Sequence, residues 1–366
     1  MKKHFERITD PRQSWKVMYN LHEIVIMTIC AVISACEHWE DIVDFCKVKE
    51  DWFRGKLGLE LENGVASHDT FQRVFQLIKP KELRKCFVAW VKSIKKKTKG
   101  EIISIDGKTV CGSRDAKTKA IHMVSAWANA NQLVLGQVKT DEKSNEITAV
   151  PTLLELLELK DCIVTIDAMG CQKAIAEKII KADADYVFGL KGNQGTLNED
   201  VRLYFEYAVK TPQFYDGITN TVTKDKGHGR FEKRYYWLSE DVDWLPQKPE
   251  WQGLNSIGMV RSVVEKNGKT TDETRFFISS LTDVKTFAHA VRTHWGIENS
   301  LHWCLDVVFH EDLNRTRKDN SSENFVVIRH IALNILKNYP FDMSLARKRR
   351  KCQYDADFLA DVLLSA

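Results

Sequence analysis

The hydrophobic pattern changes period twice along the chain. Up to about residue 100 the apolar positions recur at helical spacing. Residues 21–35 are a nearly unbroken apolar run, as in a helix buried on most sides. Ile42, Val43, Phe45, Cys46 and Val48, within 39–52, fit a helix better than strand alternation. Ser67-His68-Asp69-Thr70 precedes Phe71, Val74, Phe75 and Leu77, so the Ser or the Asp can cap the next helix. Residues 81–94 form another amphipathic segment. It ends in Lys95, Lys96, Lys97, Lys99 and Gly100, and the first domain boundary is placed there. Such a run is either a solvated linker or a strip that follows a phosphate backbone.

Beyond Gly100 the period shortens. Residues 102–105 run into Asp106, and 121–128 and 133–138 follow across the turn Asn129-Ala130-Asn131. Three strands with short turns predict an antiparallel meander. A helix is expected over 149–159, a strand over 162–166 ending on Asp167, a helix over 171–184 and a strand over 186–190. This order predicts a mixed α/β sheet. Between about 213 and 282 four more strands are expected, at 219–223, 230–238, 256–264 and 274–280, as a β-rich insertion. Helical spacing resumes from Asp283 to about Phe309 and again over 324–336. The chain ends with Arg347-Lys348-Arg349-Arg350-Lys351, read as part of a basic tail over 346–366 that is either solvated or adds nonspecific DNA affinity.

Composition narrows this picture. With 43% hydrophobic and 28% charged residues, a 366-residue chain buries a real core, in two or three domains. The net charge of +4 permits a nucleic-acid partner without demanding one. Nine cysteines without a C-x-x-C pair argue against a disulfide framework and a zinc ribbon. The apolar run Ile24 to Ser34 is too short to span a bilayer, is preceded by His22 and Glu23, and lies too far into the chain for a signal peptide. The expectation is a soluble, cytoplasmic protein with reduced thiols and no membrane partner.

Two strands end alike, in Ser104-Ile105-Asp106-Gly107-Lys108 and Thr165-Ile166-Asp167-Ala168-Met169. Ligands gather at strand ends in α/β sheets. A carboxylate after a run of apolar residues is costly unless it is solvated, paired or bound to a cation. One such Asp simply turns the chain; two on adjacent core strands favour a site. In the segment from Arg292 to Asp306, His294, Glu298, His302 and Asp306 fall at i, i+4 steps and form one polar stripe on a helix. Leu301, Leu305, Val308 and Phe309 can anchor that helix. Glu298 can complete a three-carboxylate site, whose oxygens suit Mg²⁺, and two such ions can clamp a phosphoryl displacement. The other readings are a solvated helix face, or a transition-metal site of His294, Glu298 and His302 that leaves both Asp residues unexplained. Lys191, Asn193 and Gln194 after a strand, His228, Arg230, Lys233 and Arg234 in the insertion, and Lys108 beside Asp106 are candidate DNA contacts. The first group reads equally well as an ordinary polar turn and the second as a charged hairpin, while Lys108, two residues beyond Asp106, is placed to touch the scissile strand.

Several segments together carry a resemblance. They are Ile8-Thr9-Asp10-Pro11-Arg12, Ser67-His68-Asp69-Thr70-Phe71, Ile105-Asp106-Gly107-Lys108, Ile166-Asp167-Ala168-Met169, Leu190-Lys191-Gly192-Asn193-Gln194, the stretch Gly227 to Glu232, and the stretch His294 to Asp312. In this order the chain resembles bacterial insertion-sequence transposases of the DDE superfamily, most closely the H-repeat-associated group. The resemblance implies an α/β, ribonuclease-H-like mixed sheet with helices on both faces and a β-rich insertion before the last catalytic helix. It implies a helical domain over 1–98 for DNA-end binding or subunit contacts, and a catalytic domain over 99–345. The catalytic and metal-binding triad maps onto Asp106, Asp167 and Glu298. The implied cofactor is Mg²⁺, two ions with Mn²⁺ as a substitute, and no small molecule. The implied partner is double-stranded DNA, both terminal repeats and target, bound by a homodimer at the nucleoid. The implied reaction is DNA strand cleavage and strand transfer. Positions that hold a Tyr, an Arg and a Lys in many related transposases are Val291, His294 and Leu305 here, with Arg292 or His302 as substitutes. That departure touches the DNA contacts of this helix more than Glu298. Two alternatives stand beside it: a nuclease or junction resolvase that cuts without joining, and a non-catalytic DNA-binding relic, which the intact carboxylate set disfavours.

Overall fold

The computed structural model describes residues 2–96, 98–115, 119–140, 146–211, 217–227 and 229–365. A short helix α1 (Lys2–Phe5) precedes α2 (Leu21–Ile33). Asn20 caps α2 by accepting from the backbone N–H of His22, and almost every α2 side chain is buried. The apolar pattern over 39–52 divides into α3 (Trp39–Val48) and α4 (Glu50–Leu57), because Lys49 leaves helical geometry and ends the first helix. Gly58, in the left-handed conformation, ends α4. In α5 (His68–Leu77) Ser67 occupies the cap position, but its hydroxyl meets Thr70 Oγ1 and caps no backbone group. Pro80 opens α6 (Pro80–Ile94), where its missing N–H costs nothing.

The sheet elements are β1 (Ile102–Val110), β2 (Ile121–Ala128), β3 (Leu133–Lys139), β4 (Ile163–Ile166) and β5 (Asp185–Leu190), with α7 (Glu146–Leu154) and α8 (Lys173–Lys181) between the last three. Next come α9 (Gly195–Lys210), β6 (Ile218–Gly227), β7 (Arg230–Ser239), β8 (Ser256–Lys266), β9 (Lys269–Ser279) and α10 (Val284–His294). The chain closes with α11 (Ser321–Asn338), α12 (Leu345–Tyr354) and α13 (Ala356–Leu364). In the second unit the strands form a mixed sheet in the order β1-β4-β5-β9-β8-β7-β6, and in the first β2 and β3 pair antiparallel. No described helix is long and apolar enough to cross a membrane.

The contacts divide the chain into two compact units. The first holds Met1–Lys97, Gly107–Thr140 and Glu298–Ala366, so residues 1–97 share a core with later segments and do not close on themselves at the expected boundary. Its centre is α11, buried nearly all round. Asn334 pairs through both amide atoms with the backbone of Val134 in β3, and Asn324 donates to the carbonyls of Phe75 and Ile78. Trp39 packs at 5.2 Å from both Phe75 and Phe325. The expected basic tail is instead the helices α12 and α13. Lys348 and Arg349 are buried. Lys348 donates to the carbonyls of Leu336 and Tyr339. Arg349 donates to Val32 O and Val308 O and pairs with Glu37 at 2.9 Å. The cations sit inside because the last carbonyls of other helices lack partners there.

The second unit holds Thr98–Asp106 and Asp141–Ile297. β4 runs parallel to β1 and to β5, and β9 is antiparallel to β5, from Val187↔Ser279 to Leu190↔Phe276. The expected insertion is therefore an extension of the same sheet. Phe287 of α10 lies over Gly258 of β8, where a Cβ would stand 2.4 Å from the ring. Helix α9 was not expected. Its apolar side, Leu197, Val201, Tyr204, Phe205 and Ala208, is buried at helical spacing.

Two outcomes follow. Arg349→Met leaves Glu37 and two carbonyls without their partner, so unfolding free energy in urea should drop by about 3–5 kcal/mol. Burial pushes His330, beside Phe87, from 6.5 down to about 3, with His302 and then the Arg329 charge adding to it. The unfolded chain thus binds one more proton between those values, and stability present above pH 6.5 is lost as pH falls through that window. Between pH 7.5 and pH 5 the wild type should lose roughly 2 kcal/mol more than His330→Phe, and equal losses would refute the account.

Candidate active site

The register of β1 and β4 ends on Ile105↔Ile166, so Asp106 and Asp167 occupy the next positions on neighbouring parallel strands. They differ in local setting. β1 continues past Asp106 to Val110, helped by a cross-strand contact of Thr109 Oγ1 with His122 Nδ1 at 3.0 Å, so Asp106 lies within the strand and not at its end. Asp167 leaves β4 and turns the chain, its Oδ1 accepting from the N–H groups of Met169 and Gly170. A side chain at Gly170 would run into Ile166.

This turn is held from the β5 side. Asn193 Nδ2 donates to Ala168 O at 2.7 Å, and Gln194 Nε2 donates to Cys171 O at 2.5 Å. The two amides expected to reach DNA are thus engaged in fixing the Asp167 loop. Lys191 stays exposed. His294, also expected at DNA, lies at 2.8 Å from Thr165 Oγ1, and Thr165 donates onward to Ser104. This hydroxyl row runs across the strands that carry the two Asp residues.

Glu298 and His302 lie on a helix that widens. Residues Glu298–His302 and Cys304–Val308 are π-helical turns. A π turn holds more residues than an α turn, so the expected straight stripe does not persist through 298–308. His302 Nδ1 stands 3.4 Å from Glu298 Oε2, with His302 buried and Glu298 half-exposed. Asp306 turns to Lys108, whose ammonium lies 2.8 Å from Asp306, 3.1 Å from Glu311 and 3.4 Å from Asp312. Burial works against the Lys108 charge. Glu311 first, then Asp306 and Asp312, outweigh it and push the lysine above its ordinary range. Lys108, expected at the scissile strand, is an internal counter-ion. Glu311 also stands 3.7 Å from the buried Arg329.

Glu298 and His302 in the first unit, and Asp106 and Asp167 on neighbouring strands of the second, are carboxylate and imidazole donors of the kind that divalent cations accept. The expected basic contacts of the outer strands are arranged differently. Arg230 and Arg234 share Glu232, Lys233 lies over the Tyr235 ring, and Arg292 pairs with Asp225 at 3.0 Å. His228 lies outside the described residues. Glu311 and Asp312, which stand in the HED run of the resemblance, carry no local sequence signal for their role around Lys108.

Residues 2–91 match the family described as DDE_Tnp_1-associated, and residues 97–335 match the family described as Transposase DDE domain. The chain belongs to the DDE transposase family. The transposase is 44% identical over 370 residues to the "H repeat-associated putative transposase YhhI" of Escherichia coli K12, a match covering 98% of this chain and 96% of the relative. It is 42% identical to the "Putative transposase YncI" of Escherichia coli O157:H7, over 98% of this chain and 93% of the relative. A solved piggyBac transposase synaptic complex with hairpin DNA aligns with 98% of this chain and 78% of its own, at a TM-score of 0.41 and 11% identity. Asp106, Asp167 and Glu298 all fall within the transposase domain, and α12 and α13 lie beyond it.

Removing the amide brace should be measurable without any assay of activity. Asn193→Ala leaves the carbonyl of Ala168 without its donor, and the expected loss is about 1–3 kcal/mol of stability in urea. The Asp167 loop should also become faster in amide exchange. An unchanged exchange pattern at 167–171 would show that the brace is idle.

Proposed function

We propose that this protein is a divalent-metal-dependent DNA transposase with a ribonuclease-H-like core, in which Asp106, Asp167 and Glu298 form the catalytic carboxylate set. The carrying observation is a pair of carboxylates: Asp106 and Asp167 take the positions just after the Ile105↔Ile166 pair on neighbouring parallel strands, inside the matched transposase domain that also holds Glu298. The donor set fits the group it would hold, because crowded carboxylates repel one another and a cation relieves that repulsion. Divalent cations bound there, Mg²⁺ or Mn²⁺, supply charge stabilisation at the attacking and leaving oxygens of an in-line displacement at phosphorus.

The chain's own groups do the rest. Asp106 is fixed by the extended backbone of β1. Asp167 is fixed by its own turn and by the Asn193 and Gln194 amides. His302 stands against Glu298 and orients its carboxylate. The attacking group is water in cleavage and a DNA 3′-hydroxyl in strand transfer, with no covalent protein intermediate. Joining two element ends in one reaction calls for two copies of the chain on the DNA, hence a homodimer.

The test uses duplex DNA flanking the protein's own gene, with Mg²⁺ and strand breaks mapped at nucleotide resolution. Asp106→Asn, Asp167→Asn and Glu298→Gln should each abolish cleavage while leaving DNA affinity within a few-fold, since phosphate contacts to Lys and Arg dominate affinity. His302→Gln should slow cleavage less, by roughly 10–100-fold, as expected for a group that orients a ligand. Full cleavage by either Asp variant would overturn the mechanism, and cutting without joining would leave a nuclease.

A further inference from the structure

In the first compact unit, the turn after β1 meets the segment after the π-helical turns. A Cβ on Gly112 would stand 2.2 Å from Asn314 O and 2.8 Å from Asp312 O, so only a glycine lets these two backbones touch. Asp312 accepts from the N–H of Cys111 at 2.9 Å, and Arg317 Nε donates to Gly112 O at 2.9 Å. The two segments are therefore pinned together by backbone contact. Between them opens a cleft of about 410 Å³ lined by Arg114, Arg315 and Arg317, with Leu313 at 72% exposure on its wall.

The charge of this cleft is unbalanced. It carries three arginines against Asp115 and Asp312. Asp312 is already committed to Cys111 N and to Lys108. Among the described residues the guanidinium groups of Arg114 and Arg315 make no ion pair, and both side chains are exposed. Most other arginines of the chain behave differently. Arg202, Arg230, Arg234, Arg261, Arg275 and Arg292 each have a carboxylate within 3.1 Å. Unpaired guanidinium forks facing one concave space suit phosphate oxygens, which they bind with two parallel N–H donors.

We propose that this cleft binds the sugar–phosphate backbone of duplex DNA. Arg114 and Arg315 would clasp phosphates, Arg317 would back them from the wall, and Leu313 would rest on a deoxyribose. The volume is in the range that holds a nucleotide-sized unit, larger than one free phosphate needs. The proposal rests on the transposase reading for its choice of DNA over RNA. It assigns the affinity to residues outside the carboxylate set.

The test is fluorescence anisotropy of the full chain with a labelled duplex from the DNA flanking its gene, in EDTA, across a salt series. Arg114→Ala/Arg315→Ala should weaken binding about tenfold or more. It should also reduce the slope of log K against log salt by about 2, near 0.9 per lost phosphate contact. Arg315→Lys should keep the wild-type slope, because the slope counts charge, while losing part of the affinity. Arg315→Glu should bind worse than Arg315→Ala. A double variant with wild-type affinity and slope overturns the cleft. So does tighter binding of an RNA duplex of the same sequence that depends on the same two arginines. Strand cleavage with Mg²⁺ separates the two readings. Wild-type cleavage alongside silent arginine variants sinks the cleft alone. Arginine-dependent binding without any cleavage sinks the transposase reading alone, and no duplex binding at all sinks both.

Discussion

Lys108 is an ammonium group almost withdrawn from water, and it is tolerable there only because three carboxylates surround it. Removing one partner of a buried ion pair costs several kcal/mol, because the other charge is left uncompensated. Here the partners come from β1, from the second π turn and from the turn that follows it. One cation therefore fixes the lateral position of two segments that are far apart in sequence. Glu311, nearly inaccessible, extends the constraint to Arg329 on α11, and Arg329 stacks on Phe325 at 4.6 Å. The carboxylate-bearing end of the π helix is thus tied through charge to the most buried helix of its unit.

The second constraint is the conversion of polar side chains into supports for backbone. Asn334 completes the edge hydrogen bonds of Val134, Asn324 satisfies two carbonyls behind α5, and Asn193 and Gln194 do the same for the loop after β4. Each replaces a water that a buried carbonyl or N–H would otherwise need. A side chain so engaged has committed at least one of its hydrogen-bonding groups to the fold. This is the physical reason why residues that look like DNA contacts in a sequence can be structural in a fold.

The sequence made the strands legible wherever side chains alternate or run apolar between turns. β2, β4 and β5 stand within one residue of their expected limits, because Gly, Asn and Asp punctuate them. The break at Lys49 was not legible, since both helices share one apolar period and differ only in the backbone of one residue. Nor was α9, whose polar first turn hides an apolar side that starts at Leu197. Asp106 and Asp167 drew notice because each follows an apolar strand run, while Glu298 was singled out by its polar helix stripe and by the resemblance. The cage around Lys108 could not be named, because its acids lie about 200 residues away and nothing local marks which charge they answer.

The same lesson applies to the cations as a class. The net charge of +4 counts Lys108, Arg329, Lys348 and Arg349 as if they faced solvent, yet all four are withdrawn into the first unit. A basic run such as 347–351 therefore overstates the positive surface it was expected to provide. On a duplex, each phosphate neutralised from outside releases counterions, and a buried cation releases none. Under the proposed function, affinity for DNA would come from the arginines and lysines that reach water without a carboxylate partner. Internal cations shape the fold and hold acids at their stations; the external ones carry the field that a polyanion would meet.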